Sequence, residues 1–128
     1  MKALLDTQAF LWFVLDDPRL GKRAGEIIAD SDSTILLSPA SHWEIAIKIS
    51  LGKYELPEPF EAFMNAQIEE NNFTVLPVSI AHTACVSGLP FHHRDPFDRL
   101  IIAQGLVEKI SILSIDEIFD EYGVQRIW

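Results

Sequence analysis

Apolar residues along this chain come in short runs divided by polar and helix-breaking residues, and the spacing within each run indicates its structure. "KALLD" at residues 2–6, "STILLS" at 33–38, "FTVLPVS" at 73–79 and "ISILSID" at 110–116 are dense apolar stretches too short for a stable helix, and they read as buried strands. "VQRIW" at 124–128 is a last short strand. Helical stretches lie between them. The first spans 7–17 and stops ahead of Pro18, and the second spans 20–32. A third spans 39–53, with Pro39 in the first turn, where its missing N–H costs nothing. Pro57 opens a fourth over 57–72, a short one covers 80–89, and a long one runs over 95–109. "EIFDEY" at 117–122 forms a helical turn.

Strands alternating with helices imply parallel β-α-β units and a sheet covered on both faces. The expectation is therefore an α/β fold: one domain over residues 1–128, with a parallel sheet of four to five strands and helices on both faces. There is no internal repeat, low-complexity tract or long linker. In such sheets, ligands bind beyond the carboxyl ends of the strands. The acids at those ends are the first candidates for chemistry.

Asp6 ends the first strand and Asp116 follows the fourth. Either could merely cap the next helix, since Asp is a favoured N-cap. Glu44 sits in "SHWEIAIK", a helix apolar around most of its circumference, where an acid should be paired or should face a polar cleft. Lys48, four residues on, is an available partner, yet a surface pair of that kind contributes only ~0.3–0.5 kcal/mol. Asp95 and Asp98 share one helix start in "HHRDPFDRLIIAQ"; Asp95-Pro96 reads as a cap and first helical residue, and the i, i+3 spacing puts both carboxylates on one side of the first turn.

Four carboxylates converging at separations near ~6 Å would repel by about 2.8 kcal/mol per pair at an effective dielectric of ~20, or on the order of 17 kcal/mol in all. That rivals the ~5–15 kcal/mol stability of a whole domain. Some acids must then stay protonated, or a cation must neutralise them. An all-oxygen cluster suits Mg²⁺ or Mn²⁺ better than zinc, and no Cys or His spacing suggests a zinc site. Metals held by carboxylates favour phosphoryl-transfer chemistry without a covalent nucleophile. No GxSxG, activated Cys-His pair or phosphate-cradling glycine loop offers another route.

Composition narrows the setting. The net charge of −9 argues against long-range attraction to nucleic acid and fits a cation site, a basic partner or a soluble acidic surface. No apolar run approaches a membrane span, the N-terminus has no signal-peptide pattern, and a lone Cys85 suits a reducing compartment. The expectation is a cytoplasmic protein with Cys85 as a buried small residue.

Four blocks, "ALLDTQAFLWF", "SPASHWEIAIKISLGKYELP", "LPFHHRDPFDRLIIAQG" and "ILSIDEIFDEYGVQRIW", together resemble the PIN-domain family and, more narrowly, the VapC-type toxins of type II toxin–antitoxin systems. The resemblance runs through essentially the whole chain. It implies a Mg²⁺- or Mn²⁺-dependent endoribonuclease in which Asp6, Glu44, Asp98 and Asp116 are the catalytic acids and metal holders, with Asp95 as an additional acid. It also implies a cognate antitoxin whose C-terminal segment wraps the toxin, and often a homodimer. Ser114 stands where threonine is usual, which keeps the hydroxyl, and Gly105 where alanine is usual, at a cost of roughly 1 kcal/mol of helix stability.

"AFLWFVL" is seven apolar residues in succession, a helix without a polar face, which is either wholly internal or one wall of a partner groove. Arg94, Arg99, Lys48, His92 and His93 are the candidate RNA contacts near the acid blocks; Arg99 could instead pair with Asp95, and the two histidines could belong to an exposed loop. The alternatives are a catalytically silent PIN-like binding module and a phosphotransfer protein on a similar sheet. The second is disfavoured: Gln8 stands where a phosphatase of that type wants an acid, and the third strand ends without a phosphoacceptor Asp.

Overall fold

The five short apolar runs form one sheet in the computed structural model, which describes residues Met1–Trp128. β1 (Lys2–Leu5), β2 (Thr34–Leu37), β3 (Thr74–Val75), β4 (Ser111–Leu113) and β5 (Arg126–Ile127) lie in the order β3-β2-β1-β4-β5, with every neighbouring pair parallel. Leu5 pairs with Leu37 on one side and Leu113 on the other, so the three central strands end level. The chain winds outward from β1 to β3 and returns to β4 on the far side of β1. That reversal puts a topological switch point between β1 and β4, where α/β sheets open a crevice.

Around the sheet run α1 (Thr7–Val14), α2 (Lys22–Ala29), α3 (Pro39–Ser50), α4 (Phe60–Glu70), α5 (Ile80–Gly88) and α6 (Pro96–Glu108), with a 3₁₀ helix at Glu117–Tyr122. Alternate strand residues face opposite ways, and two cores result. Ala3, Leu5, Ile35, Leu37 and Leu113 pack against Phe10, Ala24, Ile28, Ile45 and Phe63 on one face. Leu4, Leu36 and Ile112 pack against Ile101, Ile102, Phe119 and Tyr122 on the other. Parallel strands buried on both faces account for the unbroken apolar runs.

The elements are shorter than their patterns suggest, for local reasons. α1 ends at Val14 because Leu15 caps it and Asp16 turns left-handed, at φ 54°. α4 starts at Phe60, not at residue 57, because Pro59 holds extended backbone as its N-cap and disfavours helix at Glu58. β3 keeps only two residues; Pro77 has no N–H for a ladder and lies just beyond, on an edge of the sheet. Cys85 is half-buried rather than buried. No helix is long and apolar enough to cross a membrane.

Candidate metal centre

The switch point is lined with acids. Asp6 is the first residue after β1, and its Oδ1 accepts the Ala9 N–H at 2.8 Å, capping α1. Asp95 caps α6, its Oδ1 accepting the N–H groups of Phe97 (2.8 Å) and Asp98 (3.0 Å). Pro96, the first helical residue, loses nothing by having no N–H to give. Asp98 follows in the first turn, where the positive helix end favours a carboxylate. Asp116 caps the 3₁₀ helix through Ile118 N–H at 3.0 Å, while its own N–H donates to Ser114 Oγ at 3.0 Å. Capping and a clustered site are therefore not alternatives here. In each cap one carboxylate oxygen serves the backbone, and the other is left for side-chain partners, His93 Nε2 at 2.9 Å in the case of Asp116.

Glu44 differs. It is buried on α3, and both oxygens have donors: Thr7 Oγ1 at 2.6 Å and Lys48 Nζ at 2.7 Å. The Thr7 hydroxyl also lies 3.1 Å from Ser41 Oγ. Tyr54 completes the corner, its hydroxyl 3.4 Å from Lys48 Nζ. Asp6, Glu44, Asp95, Asp98 and Asp116, with Thr7, Gln8, Lys48 and Tyr54, line a single pocket of about 370 Å³. All five sequence-selected acids are in it.

The charges are felt. Burial lifts the Asp6 carboxyl to about 6, with the Ser114 hydroxyl and the Ala9 N–H working against the rise and the Asp116 and Glu44 charges adding to it. Burial first, then Asp95, Asp6, Glu44 and Asp116, lifts Asp98 to about 8. Partial burial opposes the Lys48 charge, but the Glu44 carboxylate and the Tyr54 hydroxyl outweigh it and raise that pKa. Carboxyls pushed this far up are short of positive charge. An oxygen-rich donor set with that shortage fits a hard divalent cation.

Two expectations from sequence need correction. The cluster is not all oxygen: His93 Nε2 lies 2.9 Å from Asp116 Oδ2 and 3.1 Å from Asp98 Oδ2, and these three side chains are the tightest set of metal-ligand atoms in the molecule. His93 is thus part of the site, not of an exposed loop. Arg99, expected as an RNA contact, is 5% exposed and turned inward. Its guanidinium donates to the carbonyls of Pro90 (2.8 Å), Leu89 (3.2 Å), Val86 (3.3 Å) and His93 (3.4 Å), and stacks 4.1 Å from the Phe91 ring. It makes no ion pair with Asp95. Its role is to hold the turn between α5 and α6. Arg94 and His92 are exposed, as a substrate contact requires.

Sequence reasoning missed Thr7, Ser41, Tyr54 and Tyr122, whose hydroxyls fasten Glu44, Lys48 and the His93 turn. Only Thr7, adjacent to Asp6, left a signal. The others come from segments distant in the chain.

A model of the PIN domain matches residues 3–125. The chain belongs to the PIN-domain family. Among curated proteins, ribonuclease VapC16 of Mycobacterium tuberculosis (strain ATCC 25618 / H37Rv) is 43% identical over 58 residues, 45% of this chain and 41% of that protein. This PIN domain therefore spans less than half of that relative's length. Two solved structures are similar throughout. VapBC2 from Rickettsia felis, bound to a DNA fragment from its promoter, has a TM-score of 0.69 at 14% identity, covering 99% of this chain and 98% of that one. FitAcB from Neisseria gonorrhoeae has a TM-score of 0.66 at 17% identity, covering 98% and 96%. The parallel sheet of this PIN domain is the fold they share.

Proposed function

We propose that this PIN domain is a metal-dependent endoribonuclease acting in the cytoplasm as the toxin of a type II toxin–antitoxin pair. One observation carries the reading. Five acids from four separate segments line one pocket at the carboxyl ends of the strands, and burial and mutual repulsion lift two of them, Asp6 and Asp98, to about 6 and about 8. Similarity to a ribonuclease and to VapBC structures supports it.

Asp6, Asp98 and Asp116 hold Mg²⁺ or Mn²⁺, with Asp95 at the rim. Bound cations supply charge neutralisation and water activation for phosphodiester hydrolysis. Glu44, braced by Thr7 and Lys48, completes the acidic wall and orients water at its edge. Lys48 is the one cation lining the pocket, and it faces the phosphate. Arg94, exposed at the head of α6, meets the RNA backbone and offsets part of the −9 charge.

The antitoxin takes the groove beside α1, whose lining mixes apolar side chains with the charged Asp17, Arg19, Lys53 and Glu55. Leu11, Trp12, Leu15 and Leu56 line it, and Gln8 and Tyr54 line both this groove and the acid pocket, so the two hollows adjoin. The helix without a polar face is thus partly internal, through Ala9, Phe10 and Leu11, and partly groove wall. A second copy of the chain covers part of the remaining apolar surface, where Ile80 and Phe91 are more than four-fifths exposed.

The test is cleavage of RNA by nuclease-free protein, with and without Mg²⁺ or Mn²⁺, beside Asp6→Asn and Asp98→Asn. Metal-dependent cleavage by wild type that both folded variants lose is the expected result. A folded wild type that cuts no RNA but binds an antitoxin would make it a binding module.

A further inference from the structure

His93 lies in the acid cluster without a role in the function proposed above, yet its ring is fixed on every side. Its backbone N–H donates to Tyr122 Oη at 2.7 Å, and that hydroxyl donates to Pro90 O at 2.8 Å. The imidazole edge meets the Phe119 ring with centroids 6.0 Å apart. Arg99 holds the carbonyls of the same turn. Only 13% of the His93 side chain is exposed.

The hydrogen bonds also decide where the ring proton lies. The Asp95 backbone N–H donates to His93 Nδ1 at 3.1 Å, so Nδ1 is an acceptor and carries no proton. The proton of the neutral ring is then on Nε2, which points at Asp116 Oδ2 (2.9 Å) with Asp98 Oδ2 at 3.1 Å. Asp116 Oδ1 is already held by Ile118 N–H. Each carboxylate oxygen has two lone pairs, so a single donor leaves room for a cation. For Nε2 to ligate a metal itself, it would have to lose this proton, and Nδ1 would have to gain one against the Asp95 N–H.

We propose that His93 is a positioning residue for the metal centre: its fixed Nε2–H donates to Asp116 beyond β4 while lying 3.1 Å from Asp98 on α6, and so it sets the spacing of the two carboxylates for a cation without ligating it. The inference rests on the metal reading. Neither acid's own backbone fixes that spacing, since they sit on segments that meet only in the folded protein. Donors behind metal-binding carboxylates tune affinity in this way.

The experiment is calorimetric titration with Mn²⁺ of wild type, His93→Ala and His93→Gln, each checked for an intact fold by its thermal transition. Pulsed electron paramagnetic resonance of the Mn²⁺-loaded wild type accompanies it. His93→Ala should lose about 10–100-fold in affinity. His93→Gln, whose amide N–H reaches toward the same oxygens, should recover most of that loss, and the spectrum should show no directly bound imidazole nitrogen. Mn²⁺ binding by His93→Ala as tight as or tighter than wild type would overturn the proposal, since the ring would then only block the cation. So would a glutamine variant no better than alanine, or a directly bound nitrogen. If His93→Ala does not fold, the glutamine variant and the spectrum decide between these outcomes. A wild type that binds no Mn²⁺ at all overturns the metal reading itself, and the role of His93 with it.

Discussion

Lys48 Nζ lies 2.7 Å from Glu44 Oε2, one turn along α3, inside the pocket that also contains Asp6, Asp98 and Asp116. Glu44 is therefore the one acid there with a resident cation, while the three aspartates have none as close. Glu44→Gln should leave Mn²⁺ affinity nearly unchanged, while Asp98→Asn should lower it steeply. Lys48→Met should strand the Glu44 charge and destabilise the protein by about 1–2 kcal/mol, less than the ~3–5 kcal/mol of a fully buried pair because Lys48 remains partly in water. Urea unfolding of both single variants and the double variant checks this; the double variant should regain most of the loss.

Metal-free protein should lose stability as pH rises. The Asp98 carboxyl titrates near 3.8 when unfolded and about 8 when folded. Between those values the folded state holds a proton that the unfolded state has released, so stability falls by up to about 1.4 kcal/mol per pH unit and levels off above pH 8. Asp6 adds to the slope between 3.8 and about 6. Asp98→Asn should remove its share and be more stable than wild type at pH 9 in EDTA. Parallel unfolding curves for the two proteins at every pH would contradict this.

Metal should bind with release of a proton at neutral pH. With the Asp98 carboxyl at about 8, a cation entering at pH 7 displaces its proton, so apparent affinity should rise by roughly tenfold per unit up to pH 8 and then flatten. Calorimetry in buffers of different ionisation enthalpy counts the protons. No release at pH 7 would mean that Asp98 lies outside the first ring of ligands.

Arg99 is a buried cation satisfied by carbonyl oxygens instead of a carboxylate. Arg99→Lys keeps the charge but loses the planar fork that reaches several carbonyls at once. It should destabilise the protein by about 2 kcal/mol, within the range for a broken buried network, and loosen the turn that carries His93. Hydrogen exchange across residues 89–95 would register the change. A lysine variant with wild-type protection there would assign the hold on the turn to Tyr122 alone.

By helix propensity alone Gly105 costs stability, yet alanine should be worse. A Cβ at Gly105 would stand 2.6 Å from Ile112 Cδ1, inside the contact of α6 with β4. The ~1 kcal/mol gain in helix propensity is set against ~1–3 kcal/mol for overpacking. Gly105→Ala should be destabilised by roughly 1 kcal/mol in urea, and a stabilised variant would show that Ile112 has room to yield.

The order of elements, the parallel sheet and the acids themselves were legible in the sequence because they depend on local rules. Short apolar runs bounded by turns make strands, Asp before a helix caps it, and residues after strand ends in a doubly wound sheet face the crevice. The resemblance to PIN domains supplied which acids belong together. Apart from Lys48, legible as the i+4 partner of Glu44, what residues 6, 44, 95, 98 and 116 would find as partners was not legible, because it depends on groups brought in from elsewhere in the chain. Thr7 claims the second oxygen of Glu44, a histidine read as an RNA contact or an exposed loop donates to Asp116 beside Asp98, and an arginine read as substrate contact faces inward to hold that histidine's turn. Position along the chain sets which side chains are available. Only packing decides which charges lose their water and must find each other.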